Sequence, residues 1–71
     1  VNAIAPGTIA TEMTVATRSD PARAARFLAR IPMARFGEPE ELVGPVVFLC
    51  SPMATYVTGT TLVVDGGYLA V

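Results

Sequence analysis

The chain of 71 residues contains no lysine and no histidine, and its single cysteine is Cys50. Without imidazoles, a structural zinc would rest on one thiolate and scattered carboxylates, so no metal site is expected. One cysteine cannot close an internal disulfide, which removes a staple that small folds commonly use. Charge is sparse as well: five arginines face six acidic residues, for a formal net charge of −1. That slightly acidic balance argues against a nucleic-acid surface. Long hydrophobic runs are also missing. None approaches the roughly 18–20 residues that span a bilayer, so no membrane contact is expected. No positively charged segment leads into an apolar stretch of the secretory kind, and with the lone thiol this points to a cytoplasmic protein.

What the chain does have is apolar surface. Hydrophobic residues make up 52% of it, and mean hydropathy is +0.53. A domain of this size buries only roughly 60% of the surface its unfolded chain exposes. Part of the apolar load is therefore expected to lie against the remainder of a larger fold or a second subunit. Val1 opens directly into a strand-like run, which reads as the interior of a longer protein.

Residues 1–5 read as a short buried strand that Pro6-Gly7 ends, because proline removes a ladder donor and glycine lets the backbone turn. Residues 8–19 show no clear period and suggest a loop or short irregular helix. Ser19 or Asp20 then resembles an N-cap with Pro21 at the first helical position, and a short helix is expected to run to Ala29 or Arg30 before Pro32 stops it. Glu38-Pro39-Glu40-Glu41 is a second helix start, with carboxylates opposing the helix dipole. In that helix Leu42, Val46 and Leu49 form one apolar stripe, and Val43, Val47 and Cys50 form another. This arc is wider than one sheet face requires. Pro45 inside it predicts a kink or local loosening. After Ser51-Pro52 and a turn at Thr58-Gly59, Thr61 to Val64 reads as a strand closed by Asp65-Gly66-Gly67. The order strand, loop, helix, helix, strand predicts an α/β fold with a parallel sheet. Two such strands without sheet neighbours between them predict a poorly folded isolated chain.

Few residues offer chemistry by themselves. Cys50 on an apolar helix face is expected to be a buried, inert thiol. Glu40 and Glu41 are splayed by helix rotation and have no histidine or second acid nearby, which makes acid/base work there improbable. Asp65 with two glycines is a poor metal site. Arg23, Arg26 and Arg30 share a helix face, which reads as a solvated or partner-facing side.

Three stretches together carry a resemblance: Asn2 to Thr11, Arg35 to Glu41, and Tyr56 to Gly67. In this order and spacing they resemble the last third of the short-chain dehydrogenase/reductases, most like the 3-oxoacyl-carrier-protein reductase and gluconate or sugar-alcohol dehydrogenase branches. The resemblance implies the C-terminal part of a Rossmann-type doubly wound parallel sheet. One domain then covers residues 1–71, with strand and nicotinamide-side turn in 1–11, substrate loop in 12–37, and interface helix and last strand in 38–67. It implies NAD or NADP as cofactor, with Pro6 and Gly7 against the nicotinamide ring. By the same resemblance the Ile9 backbone bonds the carboxamide, and Thr11 caps it or reaches toward the phosphates. A side chain at Gly7 is expected to collide with the ring. Spacing alone shows only a strand ending in a turn.

Residues 12–33 correspond to the family's substrate loop. Met13, Val15, Phe27, Ile31 and Met33 suit the wall of an apolar substrate site and suit core or subunit contacts equally. The family's proton transfer uses a Tyr followed four positions later by a Lys, and the six glycines nowhere make its glycine-rich turn. With no lysine, this chain has no catalytic residue of that kind, and neither Tyr56 nor Tyr68 is a candidate. The resemblance thus implies a segment of an NAD(P)-dependent oxidoreductase, not competent alone. The alternative is a non-catalytic oligomerisation module. Its partners would be the rest of the parent enzyme or copies of itself, through Glu38–Ser51 and Thr61–Asp65, in a homodimer or homotetramer.

Overall fold

The computed structural model describes residues 1–70. Strand β1 (Ala3–Pro6) is followed by a 3₁₀ turn at Glu12–Thr14 and helices α1 (Val15–Ser19) and α2 (Pro21–Leu28). A 3₁₀ turn at Pro39–Leu42 then runs into helix α3 (Val43–Leu49), and a further 3₁₀ turn at Pro52–Ala54 precedes strand β2 (Thr61–Val64). The strands are parallel and directly adjacent, with Ala3 opposite Thr61 and Pro6 opposite Val64. No neighbour is missing between them, contrary to expectation. What each strand lacks is a partner on its outer edge, since the described sheet has two strands only.

Local chemistry explains the helix boundaries. The Asp20 carboxylate accepts the N–H groups of Ala22 and Arg23 at 3.0 and 3.4 Å, and Pro21 starts α2 where no backbone donor is needed. Pro45 lies in the first turn of α3, not in the middle of a longer helix. Its missing N–H costs little there. The expected loosening takes the form of a change of helix type: Glu41 N–H bonds Glu38 at 2.9 Å in 3₁₀ fashion before the α-helix begins.

Burial is thin. Among the described residues only Ile31 forms a buried apolar core, at 4% exposure. It sits beneath Gly66, in the turn that follows β2. The surface area is 5107 Å², against about 4200 Å² for a compact monomer of this mass. The radius of gyration is 13.9 Å, against about 11 Å for a compact chain of this length. The shape is flat, 43 × 26 × 16 Å, one sheet with helices on it and no second layer. Accordingly Leu42, at the end of the 3₁₀ turn, and Leu49 of α3 are half-buried, whereas Val43, Val46 and Val47 remain exposed. Cys50, expected to be buried, is exposed as well. It lines an open groove with Asn2, Ile4, Val46 and Leu49.

Candidate functional site

The carboxyl ends of β1 and β2 lie side by side, and the loops leaving them form one surface. Gly7 N–H continues the ladder by donating to the Val64 carbonyl at 2.9 Å, after which the chain turns away from the sheet. A side chain at Gly7 would strike Asp65 in the loop after β2. The chain thus gives its own reason for glycine here, because two backbones meet. Asp65 shapes its own loop, its Oδ1 accepting Gly67 N–H at 2.9 Å and its Oδ2 accepting Leu69 N–H at 3.1 Å. No cluster of metal-ligating side chains occurs among the described residues.

Beyond Gly7 the chain is held by residues 37 onward. Thr8 carbonyl accepts Gly37 N–H at 3.0 Å, and Ala10 N–H donates to Gly37 carbonyl at 2.8 Å. Ile9 lies between these two bonds. Its carbonyl is saturated, accepting Thr11 N–H at 2.9 Å and the Thr14 hydroxyl at 2.7 Å. Its own N–H donates to nothing among the described residues, so the open polar group is a donor. Thr11 is exposed at the start of the Glu12–Thr14 turn, its N–H also donating to Thr14 Oγ1 at 3.1 Å. The Thr11 carbonyl is pinned by Arg18 Nη2 at 2.9 Å, while Arg18 Nε donates to Thr14 Oγ1 at 3.0 Å. Sequence reasoning gave neither Thr14 nor Arg18 a part in this loop. The Thr11–Thr14 and Thr14–Arg18 spacings of three and four were the signal, because such pairs share a helix face.

The expected substrate residues separate. Phe27 joins Pro6 and Gly7 around one groove of about 330 Å³, with Ile31, Tyr68 and Asp65 completing its walls. Met33 lies with Ile9 and Gly37 around a smaller cavity of about 100 Å³ on the other side of the turn. Met13 is 95% exposed at the tip of the Glu12–Thr14 turn. Of the arginine row on α2, Arg23 donates to Thr17 Oγ1 at 3.1 Å. Arg26 and Arg30 flank Phe27 and Tyr68 at an open groove.

One ion pair braces this surface. Arg35 grips Glu41 through Nη1–Oε1 at 2.7 Å and Nη2–Oε2 at 2.8 Å. The guanidinium hydrogen bonds, helped by the Glu38 backbone N–H, hold the Glu41 carboxyl down at about 2 and push the Arg35 group up.

Comparison with known proteins places this arrangement. The family described as Enoyl-(Acyl carrier protein) reductase matches residues 1–69. The chain is 54% identical over 70 residues to the 2-dehydro-3-deoxy-D-gluconate 5-dehydrogenase of Escherichia coli, covering 99% of this chain and 28% of that protein. It is 53% identical over 66 residues to the L-rhamnose 1-dehydrogenase (NAD(P)(+)) of Azotobacter vinelandii, covering 93% of this chain and 26% of that one. A crystal structure from Agrobacterium tumefaciens with bound NADP, described as a candidate 2-deoxy-D-gluconate 3-dehydrogenase, superposes with a TM-score of 0.97 at 54% identity. That superposition covers 100% of this chain and 29% of that structure. The chain thus spans little more than a quarter of the length of the proteins it matches, and within that span it has their Rossmann-type α/β fold. It belongs to the short-chain dehydrogenase/reductase family.

Proposed function

We propose that these 71 residues are the C-terminal, nicotinamide- and substrate-side segment of an NAD(P)-dependent oxidoreductase. The parent enzyme moves hydride between the cofactor and a carbonyl or alcohol. The observation that carries this reading is the Pro6–Gly7 turn at the carboxyl ends of two adjacent parallel strands, with the unbonded Ile9 N–H just beyond it. In open α/β sheets ligands lie in the crevice outside those strand ends.

The chemistry follows from what each group has left to offer. Gly7 keeps the turn flat enough for a planar ring to lie on the backbone. Ile9 N–H donates to the carboxamide oxygen, and its saturated carbonyl leaves the amide hydrogens to another acceptor. The hydroxyl of Thr11 supplies one. Fixing both ends of the carboxamide selects which ring face delivers hydride. Phe27 walls the groove next to the ring, where the carbonyl or alcohol carbon must sit. Met33 stands behind Ile9 and backs the cofactor loop, while exposed Met13 closes over the groove only where the rest of the enzyme covers it. Proton transfer belongs to a Tyr-Lys pair outside these residues, since the segment has no lysine. The sugar and sugar-acid dehydrogenases among the relatives named above support reading the parent's substrate as a sugar or sugar acid.

Titration of the intact parent with NADH and NADPH, followed by nicotinamide fluorescence, tests the reading. Binding of one or both, lost in Gly7→Val, supports it. A parent that binds neither sinks it.

The exposed Val43, Val47 and Cys50 on α3 favour a second role for the same segment. The span Glu38–Ser51, with Thr61–Asp65, seats against a second copy in a homodimer or homotetramer. Sedimentation of the parent enzyme decides this, and a monomer with full activity overturns it.

A further inference from the structure

Arg35 and Glu41 are half-exposed, and such surface ion pairs ordinarily contribute little to stability. This one has an unusual amount attached to it. Besides the two guanidinium–carboxylate bonds, Glu41 Oε1 accepts Glu38 N–H at 2.9 Å, and Arg35 Nη1 donates to the Phe36 carbonyl at 3.3 Å. These bonds lock residues 35–41 into a closed turn from both ends. Gly37 lies inside that turn, and Gly37 is the residue that holds Thr8 and Ala10 on either side of Ile9. A planar fork meeting both carboxylate oxygens fixes angle as well as distance, which a single lysine contact does not. The ion pair therefore fixes where Gly37 stands, and Gly37 fixes where the Ile9 N–H points.

We propose that Arg35 and Glu41 are a positioning pair for the nicotinamide half of the cofactor, acting through Gly37 on the backbone of Ile9. This rests on the cofactor reading given above. Neither side chain touches the cofactor. Their effect falls on the ring end, because the turn they close carries Gly37, which holds Thr8 and Ala10.

The test uses the intact parent enzyme and two ligands: NAD(P)H, and the matching ADP-ribose, which has the same dinucleotide-like body without the nicotinamide. Glu41→Gln keeps the shape and removes the charge, and Arg35→Lys keeps the charge and removes the fork. We expect both variants to bind NAD(P)H about tenfold more weakly, as small misplacements of a binding group typically cost at least that much. Affinity for ADP-ribose stays within twofold of the unaltered enzyme. Equal losses for both ligands, or no loss for either, overturn the proposal, the first pointing to general loosening and the second to a decorative surface pair. Should one variant fail to fold, the other gives the same readout. If the unaltered parent binds ADP-ribose but not NAD(P)H, the cofactor reading itself has failed, a result distinct from normal wild-type binding with unaffected variants.

Discussion

A Cβ placed on Gly7 would stand 2.7 Å from the Cβ of Asp65 and 2.9 Å from its Cα. Both contacts are with backbone-anchored atoms that no rotamer change can move. Gly7→Ala is therefore expected to part the ends of β1 and β2, costing about 1–3 kcal/mol as overpacked sites do. Denaturant midpoints of the parent enzyme check the stability loss, and NAD(P)H titration checks an accompanying loss of affinity. A Gly7→Ala enzyme with unchanged stability would show that the loop after β2 yields freely.

Ala34 has φ of +59°, in the left-handed region where a Cβ is unfavourable. Glycine should fit better. Weighing the left-handed penalty against the greater unfolded-state entropy of glycine leaves Ala34→Gly more stable by about 0.5–1 kcal/mol. A thermal melt that falls instead would mean the neighbouring Ile31 carbonyl, which accepts Ala34 N–H at 2.7 Å, holds the turn without strain.

The Glu41 carboxyl titrates at about 2 in the folded chain, against an ordinary 4.5. A lowered carboxylate value contributes stability that is complete above the unfolded value and disappears as pH falls toward the folded one. The gap in stability between the unaltered protein and Glu41→Gln should hold steady above about pH 5 and close between about pH 4.5 and 2. Denaturation at a series of pH values measures it. A gap independent of pH would mean the carboxylate charge plays no part.

Cys50 caps the end of α3 and is exposed. In the isolated segment its thiol should react with an aromatic disulfide reagent about as fast as an unfolded peptide does. In the assembled parent, a face buried against a second copy should slow that reaction at least about tenfold, since burial governs access to the thiolate. Equal rates in both would place the interface elsewhere.

Much of the local structure could be read from single residues. Asp20 and Pro21 mark the start of α2 because capping is a short-range matter of one side chain and two N–H groups. Thr61 to Val64 reads as a strand from β-branched residues alone. The failures lie where distant segments meet. Pro45 looked like a kink because sequence does not say where the preceding 3₁₀ turn becomes α-helix. Cys50 looked buried because an apolar neighbourhood in sequence says nothing of whether a partner surface is present. At Gly7 no local pattern reveals that a side chain would strike Asp65, fifty-eight residues later. The Arg35–Glu41 brace went unread for a related reason. Its two ends are close in the chain, but its purpose shows only once Gly37 is seen against Thr8 and Ala10.

β1 has its pairing partner almost at the other end of the chain, with Ala3 opposite Thr61. During synthesis the first strand therefore leaves the ribosome long before β2, its partner in this segment, exists. Helices α1 to α3 can form one turn at a time, but no hydrogen bond between β1 and β2 can close until nearly the whole segment has been made. Each such closure also carries the entropy of a long loop. Until then the apolar edge of β1 must wait on other strands of the parent sheet or on a chaperone. The slow step in building this part of the enzyme is thus set by connectivity, and substitutions in the intervening helices should change it far less than shortening the chain between the strands.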